Sequence, residues 1–439
     1  MFEYFTSVKI FKPKSHTPAL IAAAAPPKSS IHRTFSRRPL SSSTNPASTP
    51  VFLPAAGRRT ADMFARQFIN VVMKDLRVGG SYWLSRMMPE GNLFYPSVVE
   101  AVAQTSQANR ENRKTSPPFT STLDLPGPDA RFKSSRTANS TLDFMPFYGR
   151  DGEGKIVAID STGHAVLHDA DADDDDYVGS TEMLPRLNAS KWRSPISICV
   201  TTANPGAAKD HHPDALYALN TSNSSDFEAL VYCNCNPSGF GRSDEDKAWH
   251  WLRLPPPPYL DDPACRDRTI QSHTLLQDGK TICISSVPRD GGFGTYCFDT
   301  STHEWTNVGR WSLPFSGRAL RVPELDGLWF GFLGDERQKL GAVDLSSLDS
   351  APKVLHEWGG FSPPEDWSLV YTNVVYMGVK RFCIAKTFNI YDRGQLVDTA
   401  SVLIGVEIVK GPAKKAMMQM IKHKSITFIF ERCGIESVL

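Results

Sequence analysis

The sequence has no run of about 18 apolar residues, so no membrane span is expected. It has no excess charge of either sign: 48 Lys and Arg stand against 47 Asp and Glu, a formal net charge of +1. That balance excludes a strongly basic nucleic-acid binder and an acidic solvating tail as the whole business of the chain. Its 8 cysteines have no regular spacing, and several sit in apolar runs such as Thr281-Ile282-Cys283-Ile284. They read as small buried hydrophobes in a reducing compartment, not as a disulfide framework. Gly-x-Ser-x-Gly elbow, Walker loop and dinucleotide fingerprint are all missing. No F-box-like or BTB-like segment is evident either. What is present is ordinary globular composition, 41% hydrophobic and 22% charged, over 439 residues. That is chain enough for one large core or for two to three domains.

Residues 1–62 differ from the rest. Lys9, Lys12, Lys14, Lys28, Arg33, Arg37, Arg38, Arg58 and Arg59 face only Glu3 and Asp62, with Ser, Thr, Ala and Pro between them. A basic, Ser-rich, acid-poor stretch cannot build a core and has the composition of an organelle transit peptide. The alternative is a disordered extension upstream of a natural start at Met63. The expected location is therefore mitochondrion or chloroplast if the stretch is a transit peptide, otherwise cytoplasm or nucleus. A second interval, about 105–140, is dominated by Gln, Asn, Ser, Thr and Pro and reads as a surface loop excursion, preceded by a short helix over 95–103.

From there to about Lys410 the chain repeats short runs of Val, Ile, Leu, Tyr, Phe and Trp, separated by Gly, Pro, Asp and Ser, which is the pattern of strands in an all-β protein. Four units carry four runs each: one from Leu142 to Pro185, one from Pro195 to Pro255, one from His273 to Pro314 and one from Ala319 to Trp358. A fifth supplies Ser368-Leu369-Val370-Tyr371, 381–385 and 401–409. Trp251, Trp305 and Trp358 recur at a near-constant spacing of roughly 50 residues, and His303-Glu304-Trp305 is echoed by His356-Glu357-Trp358. Four strands in such a period is the propeller signature of the kelch type. Tyr296-Cys297-Phe298-Asp299-Thr300 followed by Trp305 is its sharpest instance, although the usual Gly pair, Gly291-Gly292, sits close to the third strand and is missing elsewhere. The fold expected is a kelch-like β-propeller over 63–430 with five or six four-stranded blades, and a tail over 431–439. The runs at 68–73 and 81–85 would complete the last blade and remove the exposed edges. A β-sandwich pair is the alternative.

The chain also resembles a plant family, expanded in cereal grasses, known as domain-of-unknown-function family 1668. The likeness rests on Phe68-Ile69-Asn70-Val71-Val72, Phe94-Tyr95-Pro96, Lys155-Ile156-Val157-Ala158, Trp249-His250-Trp251 and the Pro255 to Pro258 run before Tyr259. It continues through Phe298-Asp299-Thr300, Leu313-Pro314-Phe315, 327–332, Arg381-Phe382-Cys383, Gly405-Val406-Glu407 and 420–425. The resemblance covers about Met63 to Phe430. It implies a kelch-like propeller and no assigned activity.

Chemistry-bearing motifs are few. Asp169-Ala170-Asp171-Ala172-Asp173-Asp174-Asp175-Asp176 has carboxylates to gather a hard cation but lacks the Gly and Glu of an EF-hand loop, so it reads as a solvated loop between outer strands. Cys233-Asn234-Cys235 is the one close cysteine pair, and His211 and His212 would complete four zinc ligands only by accident of folding. The His-Glu-Trp triplets repeat at blade spacing, which favours packing over acid/base work. Glu365 and Asp366 are consecutive, with nothing to link them to a cleft. Pro255 to Pro258 could dock an SH3-like or WW-like partner but more simply carries the chain between blades. Met417, Met418, Met420 and Ile421 beside Lys414, Lys415, Lys422, His423 and Lys424 suggest a short amphipathic helix.

No catalytic, cofactor-binding or metal-binding residue is assigned. The expected function is a non-catalytic binding or interaction module, a monomer whose loops present a recognition surface to a protein partner. The alternative is a propeller enzyme, or a carbohydrate or small-molecule binder, with a site in the central channel.

Overall fold

A short strand with apolar side chains on both faces must be covered on both, and sheets stacked in a ring satisfy every one of them without leaving an end. The computed structural model does this with six four-stranded sheets. It describes residues 9–10 and 66–439 except 78, 112–124, 135–140, 149–153, 175–176, 189–194, 202–213, 221–225, 234–246, 289–290, 335–338, 360–362, 412–416 and 431–432. Apart from Lys9 and Ile10, the expected transit peptide or extension over 1–62 lies outside the described residues.

Blade 1 contains β2 (Ile69–Asp75), β3 (Ser81–Met87) and β4 (Ala130–Lys133), with helix α1 (Val98–Glu111) between the last two. The two-residue strand β1 (Lys9–Ile10) lies against the outer edge of β4. Blade 2 is β5 (Leu142–Pro146), β6 (Lys155–Asp160), β7 (Ala165–Asp174) and β8 (Tyr177–Leu184). Blade 3 is β9 (Ile196–Thr201), β10 (Asp214–Leu219), β11 (Phe227–Cys233) and β12 (Ala248–Arg253). Blade 4 is β13 (Ser272–Leu275), β14 (Thr281–Ser286), β15 (Gly294–Asp299) and β16 (Glu304–Gly309). Blade 5 is β17 (Gly317–Val322), β18 (Leu328–Phe332), β19 (Leu340–Val343) and β20 (Val354–Trp358). Blade 6 is β21 (Trp367–Gly378), β22 (Arg381–Asp392), β23 (Gln395–Lys410) and β24 (Met418–Phe430). The last strand, β25 (Cys433–Val438), pairs antiparallel with β2 and supplies the innermost strand of blade 1.

The ring therefore closes by joining the two ends of the propeller in one sheet, with Val71 opposite Val438. Asn70 and Leu439 extend the seam by exchanging both backbone bonds, at 3.2 and 2.9 Å. The residues after 431, read from the sequence as a tail, are thus the closing strand. Six amphipathic ends alternate the same way around the ring. In β14, Ile282 and Ile284 turn to blade 3 while Cys283 turns to blade 5. In β10, Ala215, Tyr217 and Leu219 face blade 4 while Leu216 and Ala218 face blade 2. Six separate apolar clusters result, one at each blade junction, the last packing Ile69, Val71 and Met73 of blade 1 on Cys383, Ala385 and Leu403 of blade 6. Each fully buried Ile or Leu contributes roughly 1.5–3 kcal/mol.

Four further expectations are corrected here. The interval 105–140 holds the end of α1 and strand β4, because Ala130 and Phe132 have an apolar face to bury against blade 2. The residues around Met418 form the outer strand of blade 6 and not a helix, since Ile426 and Phe428 face blade 1 with the two-residue period of a strand. The acidic run is also strand: Asp169 to Asp174 extend β7, where Asp169 lies 4.0 Å from Lys155 and Asp171 pairs with Arg86. Finally, Cys283 and Cys297 are not free thiols. They are direct cross-strand partners on β14 and β15, with Cα atoms 4.3 Å apart, and form a disulfide. Cys233 is disulfide-bonded as well.

Candidate functional site

Two places in the described structure gather groups that packing alone does not require. The first is the central channel, toward which the innermost strands of all six blades turn. β13 and β17 pair in parallel there, the one such contact between blades, and set His273 directly beside Arg318. Arg66, just before β2, anchors its N–H on the carbonyl of Met377 at 2.8 Å and lays its guanidinium 4.4 Å from the ring centroid of Tyr148. That distance is a cation–π contact. Tyr148 follows β5, and its hydroxyl accepts a 2.8 Å bond from the Asn70 amide. Asn373 of β21 donates to the carbonyl of Val438 at 2.6 Å.

These half-buried groups also act on one another electrostatically. Burial lowers the Arg318 guanidinium from its ordinary range, and Arg66 lowers it further, while Cys199 of β9 and Tyr148 act in the opposite sense. Burial pushes His273 down to about 3, with Arg318 adding to the effect. Burial pushes the Cys199 thiol up to about 12, reinforced by Asp214 and partly offset by Arg318. Tyr371 of β21 is raised to about 12, again by burial. Residues from blades 1 to 5 act on one another across the axis, which only the channel permits. Among the described residues, neither Arg66 nor Arg318 has a carboxylate in ion-pair contact. The channel thus holds two guanidiniums and a neutral imidazole. This set suits gripping an anion.

The second place is the far end of blade 6. β22 and β23 run for 12 and 16 residues, whereas strands of the other blades that form the ring have 4 to 10. Ile390 still pairs with Trp367, the first residue of β21, and Thr399 with Phe430, the last of β24. Tyr391 also donates its N–H to the carbonyl of Asp366 at 3.0 Å, and beyond that row the hairpin is two-stranded and extends roughly 7 Å, two residues at about 3.3 Å each. Arg393 and Gly394 turn it with φ of 47° and 79°, the paired positive values of a tight turn matched to strand twist. Tyr391 opposes Leu396 on this arm, and Tyr391, Leu396 and Val397 are all exposed.

The motifs singled out in the sequence lie elsewhere. His303 stacks on Phe298 and His356 on Trp358, with ring centroids 6.1 and 5.7 Å apart, so both triplets serve packing. Pro257 and Tyr259 are buried and a single 3-10 turn spans Pro258–Asp261, so this run leads from blade 3 to blade 4. The zinc candidates His211, His212 and Cys235 lie outside the described residues, as do Lys414 and Lys415, and Cys233 is committed to a disulfide. Among the described residues no group of three or more His, Cys, Asp or Glu converges as a metal site, and no helix is long and apolar enough to cross a membrane. Sequence reasoning missed His273, Arg318 and Arg66. The signal available was a charged or His residue at the second position of an inner strand in two successive blades.

A family model described as "Protein of unknown function (DUF1668)" matches residues 66–429. Among solved structures, the chain is similar to the WD40 domain of SCAP from fission yeast, at 11% identity and a TM-score of 0.30, covering 83% of this chain and 89% of that one. At that score the likeness carries no argument, and the fold stands on the strand pairing itself. No curated protein matches the chain.

Proposed function

The chain belongs to the DUF1668 family, and from that premise we propose that it is a non-catalytic interaction module that recognises a protein partner through the arm of blade 6. The observation that supports this reading is the projecting hairpin end, with exposed Tyr391, Leu396 and Val397 at the base of its two-stranded tip. A two-stranded ribbon is marginal by itself in water, so an overhang adds nothing to the propeller's own stability. A stiff turn and large exposed side chains on such an overhang are the features of a contact surface, where Tyr contributes area at low entropic cost. The ring behind it supplies a rigid base.

Within this reading the blades are divergent members of the kelch type and the source is a plant, on the strength of the Tyr296 to Trp305 pattern and the family resemblance. The segment 1–62 serves as a transit peptide, and the module acts as a monomer. The test is proximity labelling in plant cells with the full-length chain and with a triple variant, Tyr391→Ser, Leu396→Ser and Val397→Thr, together with sequencing of the mature N-terminus. The reading expects a recurrent partner set that disappears in the variant while its melting temperature is retained. An unchanged set of labelled proteins would remove the arm from the account.

A further inference from the structure

We propose that the central channel is a binding site for a phosphate-bearing small molecule, gripped between Arg66 and Arg318. This is independent of the arm on blade 6 and adds a ligand to a protein otherwise read as a scaffold. Three observations meet. The first is register: the parallel pairing of β13 with β17 makes His273 and Arg318 neighbours at the wall of the channel. The second is placement: Arg66 is fixed at its backbone by Met377 and at its guanidinium by the Tyr148 ring. The third is charge: the Arg66 guanidinium acts on that of Arg318, and neither has a carboxylate in ion-pair contact among the described residues.

Two half-buried guanidiniums that repel each other with no carboxylate in ion-pair contact are costly, and a fold that merely needed filling would place apolar side chains there. Arginine is always charged, so the cost is not relieved by losing a proton. An anion relieves it. Two guanidinium forks present parallel N–H pairs that match the oxygens of phosphate, and their summed charge of two matches a phosphate monoester better than a single carboxylate. Neutral His273 adds a donor without adding repulsion between cations, and Cys199, held as a thiol, adds no competing negative charge.

The experiment is isothermal titration of the full chain with inorganic phosphate, paired with thermal melts, against sodium chloride at equal ionic strength. The wild type is expected to bind phosphate and to melt higher in its presence. Arg318→Met is expected to weaken binding at least about tenfold, the loss of one charge-assisted contact. Without phosphate the same variant should melt no lower than wild type, because it removes a half-buried charge that Arg66 repels. A purely structural arginine would instead melt lower when replaced. Arg66→Met should behave likewise, and Arg266→Ala, in a separate surface pocket lined by Cys265 to Thr269, should leave binding intact. The proposal is overturned if phosphate gives neither heat nor a melting shift in the wild type. It is equally overturned if Arg318→Met binds as wild type does, or if succinate binds and phosphate does not.

Discussion

Trp305 donates its indole N–H to the carbonyl of Pro255 at 2.9 Å, tying the outer strand of blade 4 to the segment that leaves blade 3. Trp251 does the same one blade earlier, to Pro185 at 3.1 Å, so a tryptophan and proline pair fastens blade 3 and blade 4 each to its predecessor. Trp358 is different: it reaches forward, to Met418 of blade 6 at 3.3 Å. The ring of Trp305 also packs on Phe298 and Phe227, at 4.9 and 5.6 Å between centroids. Trp305→Phe keeps most of that packing and loses the bond, so it is expected to cost about 1 kcal/mol. Trp305→Ala loses both and should cost about 3 kcal/mol or more. Urea unfolding midpoints at constant slope would check both values.

Lys386 is buried in blade 6, where its ammonium lies 5.7 Å from the ring centroid of Phe332. Burial, with Lys422 adding, draws it down to about 8 from an ordinary value of 10.5. Between those values the unfolded chain holds a proton that the folded chain has lost, so stability rises with pH across the window. Below about 8 both states are protonated and the fold carries the full cost of the buried charge, on the order of 3 kcal/mol. Lys386→Met should therefore remove this pH dependence, so that the stability of the wild type rises relative to the variant between pH 7 and pH 10, by up to about 3 kcal/mol. Denaturant midpoints at the two pH values would show it, and an unchanged difference between the two proteins would contradict it.

Acid should loosen the propeller. His273 is held at about 3 by burial, and burial also lowers His168 and His423. His423 accepts the N–H of Tyr95 on Nδ1 at 3.2 Å, which requires that nitrogen to be unprotonated. Each of these folded-state values lies below the unfolded one, so stability present above about pH 6.5 is lost as the pH falls toward the folded value. One such histidine gives a slope of about 1.4 kcal/mol per pH unit. Unfolding free energies between pH 4 and 7 should fall with acid, and His273→Asn should reduce the slope by one proton's worth.

The Cys283–Cys297 disulfide closes a separation of 14 residues, for which the chain-entropy estimate is about 3 kcal/mol. Adding a reductant should lower the unfolding midpoint of the wild type and leave that of a Cys283→Ala, Cys297→Ala double variant less affected. Thiol counting under denaturing, non-reducing conditions checks the bond itself.

Strands of blades 2 to 5 were legible because they are short runs rich in apolar residues, separated by Gly, Pro, Asp and Ser. Trp251, Trp305 and Trp358 then set the repeat. Strands β4 and β24 were hidden for different reasons. β4 has four residues inside a polar interval, and β24 mixes Lys422, His423 and Lys424 with methionines, so its period was masked by long side chains that reach over apolar surface. The disulfide was hidden because a separation of 14 becomes contact only in a particular register. The channel groups were least legible of all. Arg66, His273 and Arg318 lie far apart in the chain, and nothing local marks the side chain of an inner strand as facing the axis.

The central claim is that the arm of blade 6 is where a partner binds. Its most direct test places a photo-crosslinking amino acid at position 396 on the arm, and in a second protein at position 355 on β20. Leu396 and Leu355 are similarly exposed, at 59% and 53%, so accessibility alone favours neither. Irradiation in cells is predicted to give one discrete adduct from position 396 and none from 355. Equal labelling at the two positions, or no adduct at 396, would contradict the account.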